Sequence, residues 1–207
     1  MKKKPPTFKN LRLSLFFILL SLVISGCETV PPQSLTSVQW QSHQTLLANI
    51  DTFEANGKIG FRSPKERLSV NFNWKHSPNE SQLRLINFLG NTVLTLIMTP
   101  QGAQVTTSDD QVYQHKNANT LFYNLTGISF PVTQMQDWIK GQPTQADSYA
   151  LNETHTLSSL TKRTGRDTWR MSYTSYQDIE QIPFPYQMSL KQTDTSVKIV
   201  VSKWVIN

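Results

Sequence analysis

The sequence predicts a mainly β domain: a strongly curved antiparallel sheet of roughly ten strands, with a few helices over its apolar concave face. Three observations predict this fold. Apolar and polar residues alternate in many short runs after residue 57, turn-forming residues separate these runs, and only three stretches keep helical spacing. The pattern leaves open whether side chains fill the concave face or leave it free for a ligand.

The N-terminal segment has the layout of an export signal. A basic start is followed by an apolar stretch at residues 13–24, which is short for a membrane span. It ends in Ile24-Ser25-Gly26-Cys27, which resembles the lipobox of bacterial lipoproteins. We therefore predict a signal peptide at 1–26 and acyl chains, such as palmitate, on Cys27. The alternatives are an ordinary signal peptide with a chance cysteine, or an uncleaved anchor.

Charge and cysteine content narrow the function classes. The chain has 20 Lys and Arg against 14 Asp and Glu, but five of the basic residues precede Cys27. The remainder is nearly neutral, which gives no support to nucleic-acid binding. Cys27 is the only cysteine, so no intramolecular disulfide can form. In the lipoprotein pattern an Asp after the cysteine favours the inner membrane, and Glu28 here predicts the outer membrane.

The elements follow in order. Residues 27–37 are rich in Pro, Ser and Thr and predict a lipidated tether. Residues 38–55 have helical spacing, with Thr36 and Gln39 as a possible capping box and Gly57 marking the end. Residues 38–207 then form one domain.

From residue 59 the apolar period is two. A first hairpin turns at residues 63–66, and its second strand alternates strictly through Leu68, Val70, Phe72 and Trp74. Further turns at residues 77–80, 87–91, 100–102 and 109–110 predict a meander of about six strands by residue 116.

Two short helices and a second group of strands follow. One helix covers 118–126 and ends at Gly127; the other covers 133–140 and ends at Gly141, with Thr133 and Gln136 as a second possible capping box. Strands are predicted around 148–151, 156–160, 169–173, 186–190 and 197–201.

The turn at 87–91 has unusual composition. Asn87-Phe88-Leu89-Gly90-Asn91 places two large apolar residues where turns normally carry small or polar ones. If Phe88 and Leu89 are exposed, they need an apolar partner; the alternative is that they fold back onto the core.

No pattern of catalytic or metal-binding residues is apparent. The four histidines are far apart in sequence and are interpreted as surface or helix-face residues, so no metal site is predicted. The chain has no G-x-S-x-G motif and no P-loop. We therefore predict a protein that is not an enzyme and has no cofactor.

Several short motifs together resemble the outer-membrane lipoprotein receptor family, LolB. They cover nearly the whole chain after Cys27, and a Phe88 stands where the family often has Pro. The motifs are Trp40-x-x-His43, Gly57-Lys58-Ile59-Gly60, Phe72-Asn73-Trp74, Asn87-Phe88-Leu89-Gly90, Leu125-Thr126-Gly127, Pro131-Val132, Trp138-Ile139-x-Gly141-x-Pro143, Trp169-x-x-x-Tyr173 and Trp204.

The resemblance implies a half-open β-barrel of about eleven strands, with helices over an apolar cavity that holds the acyl chains of other lipoproteins. It implies a soluble periplasmic carrier, LolA-like, as the donor, and outer-membrane lipid as the destination. Leu89 matches the family's membrane-inserting loop leucine, and we expect Phe88 to assist it. By alternation we expect the cavity to be lined by Phe61, Phe72, Trp74, Trp169 and Tyr173, with Trp138 and Ile139 in a movable lid.

The expected function is therefore a monomeric acceptor in protein transport, chaperoning acylated lipoproteins from the carrier into the outer membrane, with no nucleic-acid partner. Two other classes remain open at this point. One is an accessory lipoprotein subunit of an outer-membrane assembly complex, with a filled core and a flat binding face. The other is a lipoprotein hydrolase, which would need converging Ser, His and acid groups.

Overall fold

A computed structural model describes residues 32–206, which form three helices and eleven strands. The predicted signal peptide at 1–26 and the lipidated Cys27 lie outside the described residues. The helices are α1 (Trp40–Asn49), α2 (Ala118–Thr126) and α3 (Met135–Trp138). The strands are β1 (Phe53–Arg62), β2 (Arg67–His76), β3 (Ser81–Ile86), β4 (Thr92–Thr99), β5 (Gly102–Thr107), β6 (Val112–His115), β7 (Ser148–Leu151), β8 (Leu157–Thr164), β9 (Asp167–Ile179), β10 (Ile182–Gln192) and β11 (Thr195–Ile206).

All eleven strands belong to one antiparallel sheet that does not close. Its order is β6-β5-β4-β3-β2-β1-β11-β10-β9-β8-β7, so the first and last strands of the order are its two edges. Each of the two groups of strands pairs as a meander, and the contact between β1 and β11 joins them. The mainly β, half-open fold is confirmed, with eleven strands as the resemblance implied.

The first hairpin forms as its alternation predicts. Along β2, Val70, Phe72 and Trp74 are buried while the residues between them are more exposed. Successive side chains of a strand point to opposite faces, so a strict period of two places one set in the core. We call the sheet face that carries this buried set the covered face.

The predicted helix at 38–55 is too long: α1 ends at Asn49, and β1 begins at Phe53. Phe53 has helical spacing from Ile50, but it pairs with Ile206 on one side and with His76 on the other. This pairing buries its ring between β2 and β11, which outweighs the local pattern.

Both predicted capping boxes are wrong. The N-cap of α1 is Gln39 and that of α3 is Gln134, and neither makes a side-chain cap hydrogen bond. The second helix, α2, is confirmed with its predicted bounds. Its start is capped by Asn117, whose side chain accepts from the Thr120 N–H, and its end by Gly127 at a φ of 71°.

The last part of the predicted tether at 27–37 is attached to the domain. Ser34 is buried, and its N–H donates to the Tyr176 carbonyl at 2.8 Å. Its hydroxyl and that of Thr36 donate to the two carboxylate oxygens of Asp178, at 2.6 and 2.9 Å. Residues from Ser34 onward therefore belong to the domain and not to a separate tether.

The helices cover the same face that the strands bury. Leu47 of α1, Leu121 of α2 and Trp138 of α3 belong to one hydrophobic cluster with the buried sheet residues. Burial of an apolar side chain of this size is worth about 2 kcal/mol, so the cover stabilises both layers. The sheet curls round this cluster, and α2 packs against β5 and β6 near one edge.

Gly57 allows the close approach of β1 and β11 that joins the two strand groups. The pairing register shifts between Asn56 and Gly57, which is a β-bulge. A Cβ atom at Gly57 would lie 1.9 Å from the carbonyl oxygen of Val200 and 2.9 Å from the Phe72 ring. A side chain at this position would push the two strands apart.

We therefore predict that Gly57→Ala lowers the free energy of unfolding by about 2 kcal/mol or more, as overpacking does in a tight core. Gly60→Ala is the matched control, since it lies in the same strand and a Cβ there meets nothing within 4 Å. Urea unfolding of both variants measures the difference. Equal effects at the two glycines would contradict this account of the junction.

Candidate functional site

The residues predicted to line a cavity lie on the covered face or in the segment over it. Six of them are buried: Phe72, Trp74, Trp138, Ile139, Trp169 and Tyr173. Phe61 is half-buried and packs against the same cluster. The structure thus brings all seven to one side of the sheet. Their role as the lining of an acyl cavity stays a prediction.

Two of these residues, Trp74 and Trp169, each belong to a group of contacting aromatic rings. At one end of β1, the Phe53 ring lies 6.3 Å from that of Trp74 and 5.5 Å from that of Trp204, which in turn contacts Phe184. Near β9, the Trp169 ring meets that of Phe130 edge to face at 5.1 Å. Edge-to-face rings pack more favourably than area alone accounts for.

Most polar atoms of the buried aromatic residues donate to backbone carbonyls, whereas the Trp74 indole donates to the Ser81 hydroxyl. The Trp169 indole donates to the Ser129 carbonyl at 2.6 Å, and the Tyr173 hydroxyl donates to the Trp138 carbonyl at 2.8 Å. Burial, with the nearby Tyr176, raises the pKa of Tyr173 well above its usual range, so its hydroxyl stays a donor. These bonds tie the strands to the chain that crosses over them.

We call residues 128–142, which contain α3, the covering segment. The predicted helix at 133–140 is real but shorter, since only Met135–Trp138 is α-helical. The side chains of Trp138 and Ile139 are fully buried between the segment and the sheet. The Gln136 side-chain amide lies 3.8 Å from the Met98 sulfur of β4. The segment has little regular structure of its own and depends on its contacts with the sheet.

Lys140 connects the covering segment to α1. Its ammonium group donates to the carbonyls of Ile50 at 2.8 Å and Leu47 at 3.4 Å, and it lies 3.6 Å from the Asp137 carboxylate. Burial lowers the pKa of Lys140, and Asp137 partly opposes that shift. A cation at a helix C-terminus also interacts favourably with the helix dipole.

The covered face is filled by the protein's own side chains in this structure. Trp138, Trp169 and Phe184 each have 0% exposure. Clefts occur instead at the edge of the covered face. One of about 330 Å³ is lined mostly by polar residues, among them His76 of β2, Gln136 of the covering segment and Lys116. Acyl chains could reach the aromatic face only if the covering segment moved or these rings repacked.

The loop at 87–91 presents its apolar residues to solvent. Phe88 is 89% exposed and Leu89 is 69% exposed, so they do not fold back onto the core. The loop is held by Asn87, whose side-chain oxygen accepts from the N–H groups of Leu89 and Asn91, both at 3.0 Å. Gly90, at a φ of 88°, completes the turn. We call Asn87–Asn91 the tip loop.

Sequence reasoning missed several of these residues. The sequence predicts a turn at Asn87 but not that its side chain holds the loop. An Asn side chain that accepts from the backbone two residues further on is nevertheless a known turn signal. The spacing of Phe53 predicts a helix, whereas Phe53 begins β1. The burial of Lys140 has no local sequence signal, because it depends on carbonyl groups at the end of α1.

The four histidines differ in exposure, and His43 lies on a helix face, as one of the two interpretations predicted. His43 on α1 is buried and His76 is half-buried, whereas His115 and His155 are exposed. No cluster of three or more His, Cys, Asp or Glu residues able to hold a metal occurs within residues 32–206. Over the same residues, none of the helices has the length and apolar character that a membrane span requires.

The buried His43 should make stability depend on pH. Burial lowers its pKa from 6.5 to about 4, and the pKa of His76 shifts in the same direction. Between these values the unfolded chain binds the proton and the folded chain does not, so the free energy of unfolding falls as pH drops from about 6.5 towards 4.

We predict that His43→Gln makes this decline shallower, because a glutamine cannot bind the proton. Exposed His115 provides the control variant, His115→Gln. Denaturant unfolding at a series of pH values between neutrality and pH 4 gives the slopes. If His43→Gln and wild type decline in parallel, His43 is not a source of the acid sensitivity.

Comparisons with known proteins agree on one family. Residues 51–204 match the model of the family described as "Outer membrane lipoprotein LolB". The chain is 46% identical to the outer-membrane lipoprotein LolB of Vibrio campbellii, with 95% of this chain and 98% of that protein covered. It is 48% identical to the protein of the same name from Vibrio vulnificus, over 94% and 98% of the two chains.

Among solved structures, the chain is similar to a putative outer membrane lipoprotein-sorting protein domain from Vibrio parahaemolyticus. The TM-score is 0.51 at 8% sequence identity, and the match covers 80% of this chain and 91% of that one. At this identity the likeness concerns the fold alone. It supports a half-open sheet with helices over one face.

Proposed function

The chain belongs to the LolB family of outer-membrane lipoproteins, and from this premise we propose that it accepts lipoproteins from a soluble periplasmic carrier and inserts them into the outer membrane. The acyl chains of the cargo are held against the aromatic covered face during the transfer. The single observation that carries the delivery step is the tip loop, where Phe88 and Leu89 are exposed on an ordered turn.

The physical need for an acceptor follows from the cargo. A triacylated cysteine has roughly 40 methylenes, and at about 0.8 kcal/mol each their exposure to water costs on the order of 30 kcal/mol. Lipoproteins therefore cannot cross the periplasm unaided. Transfer from carrier to acceptor is downhill if the acceptor binds the chains more favourably, and it then needs no nucleotide and no catalytic residue.

In this mechanism the covering segment moves to admit the chains. The segment is attached by polar bonds, through the Ser129 carbonyl, the Trp138 carbonyl and the Lys140 ammonium group, and by the buried side chains of Trp138 and Ile139. Each such hydrogen bond contributes about 1 kcal/mol, which is small against the gain from burying an acyl chain. Phe72, Trp74 and Trp169 would then contact the cargo in place of Trp138 and Ile139.

The tip loop acts in delivery. Three of its N–H groups, those of Leu89, Gly90 and Asn91, are already bonded to Asn87, so entering an apolar layer leaves them satisfied. Insertion of Phe88 and Leu89 between lipid acyl chains buries two side chains now in water. The released cargo then passes into the leaflet that the loop has entered. We propose that the acceptor works as a monomer.

The test uses the chain from residue 27 onward with Cys27→Ala, so that no anchor obscures the result. It is mixed with soluble carrier loaded with a fluorescently labelled lipoprotein, and transfer of the label to the acceptor is measured by pull-down. Liposomes are then added, and label that floats with them is counted. We expect wild type to take up the label and to pass it on.

Leu89→Glu should accept the label as wild type does and should deliver at least tenfold less of it, because a carboxylate in the apolar layer is costly. Leu35→Glu is the matched control, since Leu35 is 82% exposed and lies outside the tip loop. Equal delivery by Leu89→Glu and wild type would remove the loop from the mechanism.

The accessory-subunit alternative is favoured by one observation, the filled covered face in this structure. It predicts that a folded wild-type chain takes up no label from the loaded carrier. That outcome would replace the acceptor proposal with the alternative.

A further inference from the structure

The turn between β1 and β2 projects from the same end of the sheet as the tip loop. The strands β1, β2, β3 and β4 are consecutive neighbours in the antiparallel sheet, so the β1–β2 and β3–β4 turns lie at one end. The last β2–β3 pair is Asn71 with Ile86, whereas β2 continues to Arg67. The part of β2 that pairs with β1 but not with β3 therefore extends beside the tip loop.

The β1–β2 turn and the strand ends beside it carry three basic residues. Arg62, Lys65 and Arg67 are all exposed, and none of them forms a salt bridge within residues 32–206. They line one depression, to which Glu66 and Asp194 contribute the acidic side chains. We call Arg62–Arg67 the basic turn.

Two of the positive charges oppose each other directly. Arg62 and Arg67 are the last cross-strand pair of the β1–β2 hairpin. Like charges at directly opposite positions are destabilising, and a bound anion would relieve the repulsion. The turn itself is ordered, because the Ser63 side chain accepts from the N–H groups of Lys65 and Glu66 at 3.3 and 3.1 Å. The three basic side chains thus extend from an ordered backbone.

We propose that the basic turn binds the phosphate groups of anionic glycerophospholipids while the tip loop enters the acyl layer. Leu68, 40% exposed at the same end, extends the apolar part of this surface towards Phe88 and Leu89. Apolar side chains flanked by basic ones match the depth profile of a bilayer surface, where acyl chains lie beneath phosphates.

An acidic protein surface is the other anionic partner that basic residues could bind. A lipid surface is favoured here because the basic turn is adjacent to two large apolar side chains on a projecting loop, 89% and 69% exposed. A projecting apolar loop fits a deformable layer. Guanidinium groups also match phosphate oxygens in geometry.

The inference rests on the proposed delivery function, which it deepens by naming the lipid groups that the protein contacts. It concerns empty vesicles without carrier or cargo, so it can fail while cargo uptake succeeds. Conversely, failure of cargo uptake would leave vesicle binding measurable.

The experiment uses the chain from residue 27 with Cys27→Ala and measures its partition onto vesicles by co-sedimentation. The vesicles are either phosphatidylcholine alone or an equimolar mixture with phosphatidylglycerol. One variant carries Arg62→Gln, Lys65→Gln and Arg67→Gln. The control carries Lys75→Gln, Lys116→Gln and Lys203→Gln, which removes the same charge from exposed positions outside the tip-loop end. Circular dichroism and thermal unfolding verify that both variants are folded.

We expect wild type and the control to bind the mixed vesicles more strongly than phosphatidylcholine, and added salt to reduce that difference. The basic-turn variant should lose one to two orders of magnitude in partition onto mixed vesicles, since each basic residue near an anionic surface contributes about fivefold. It should still accept labelled cargo from the carrier in solution.

Two outcomes would overturn the proposal. In the first, the basic-turn variant binds mixed vesicles as wild type does; if it also loses cargo uptake, the basic turn is assigned to the carrier protein instead. In the second, the control loses as much binding as the variant, which makes the effect one of net charge.

Discussion

The structure depends on one constraint: the apolar face of an open, curled sheet must be covered. Eleven antiparallel strands leave two edges and one continuous apolar face, and no second sheet is present within residues 32–206 to pack on it. The three helices and the covering segment supply the cover, and Trp138 and Trp169 are completely enclosed as a result. The positions of α1, of the covering segment and of Lys140 all follow from this need.

Because the apolar face is covered, a ligand can reach it only by displacing part of the cover. A core made of the protein's own rings is stable when closed, because close packing leaves few voids. The covering segment, however, contains only one short helix, and it is attached both by buried side chains such as Trp138 and by a few polar bonds such as that of Lys140 to the Ile50 carbonyl. Apolar ligands can replace apolar side chains at little net cost, since both remove similar surface from water. A face that is filled at rest is therefore compatible with a transient acyl site.

The exposed apolar residues of the tip loop, unlike the buried residues of the covered face, do not stabilise the fold. Phe88 and Leu89 gain nothing from the fold in their present positions, and the loop that holds them is organised by Asn87 rather than by core contacts. Their exposure is a cost unless an apolar phase receives them. In the proposed function, the covered face of the sheet holds acyl chains and the tip loop of the β3–β4 hairpin reaches lipid.

The sequence by itself determined the class of fold, most strand positions and the face that strands such as β2 bury. The strict alternation of Val70, Phe72 and Trp74 fixes a buried set because the side-chain period of a strand is two, and Gly127 ends α2 because only a left-handed residue fits there. The sequence also singled out Phe88 and Leu89 as unusual turn residues.

Tertiary structure decided what depends on distant parts of the chain. Phe53 lies in β1 because β2 and β11 pair with it, from positions far along the sequence. The burial of Lys140 depends on carbonyl groups at the end of α1. A local sequence pattern cannot predict such partners, because the energies of strand pairing and burial depend on residues that come together only when the chain folds.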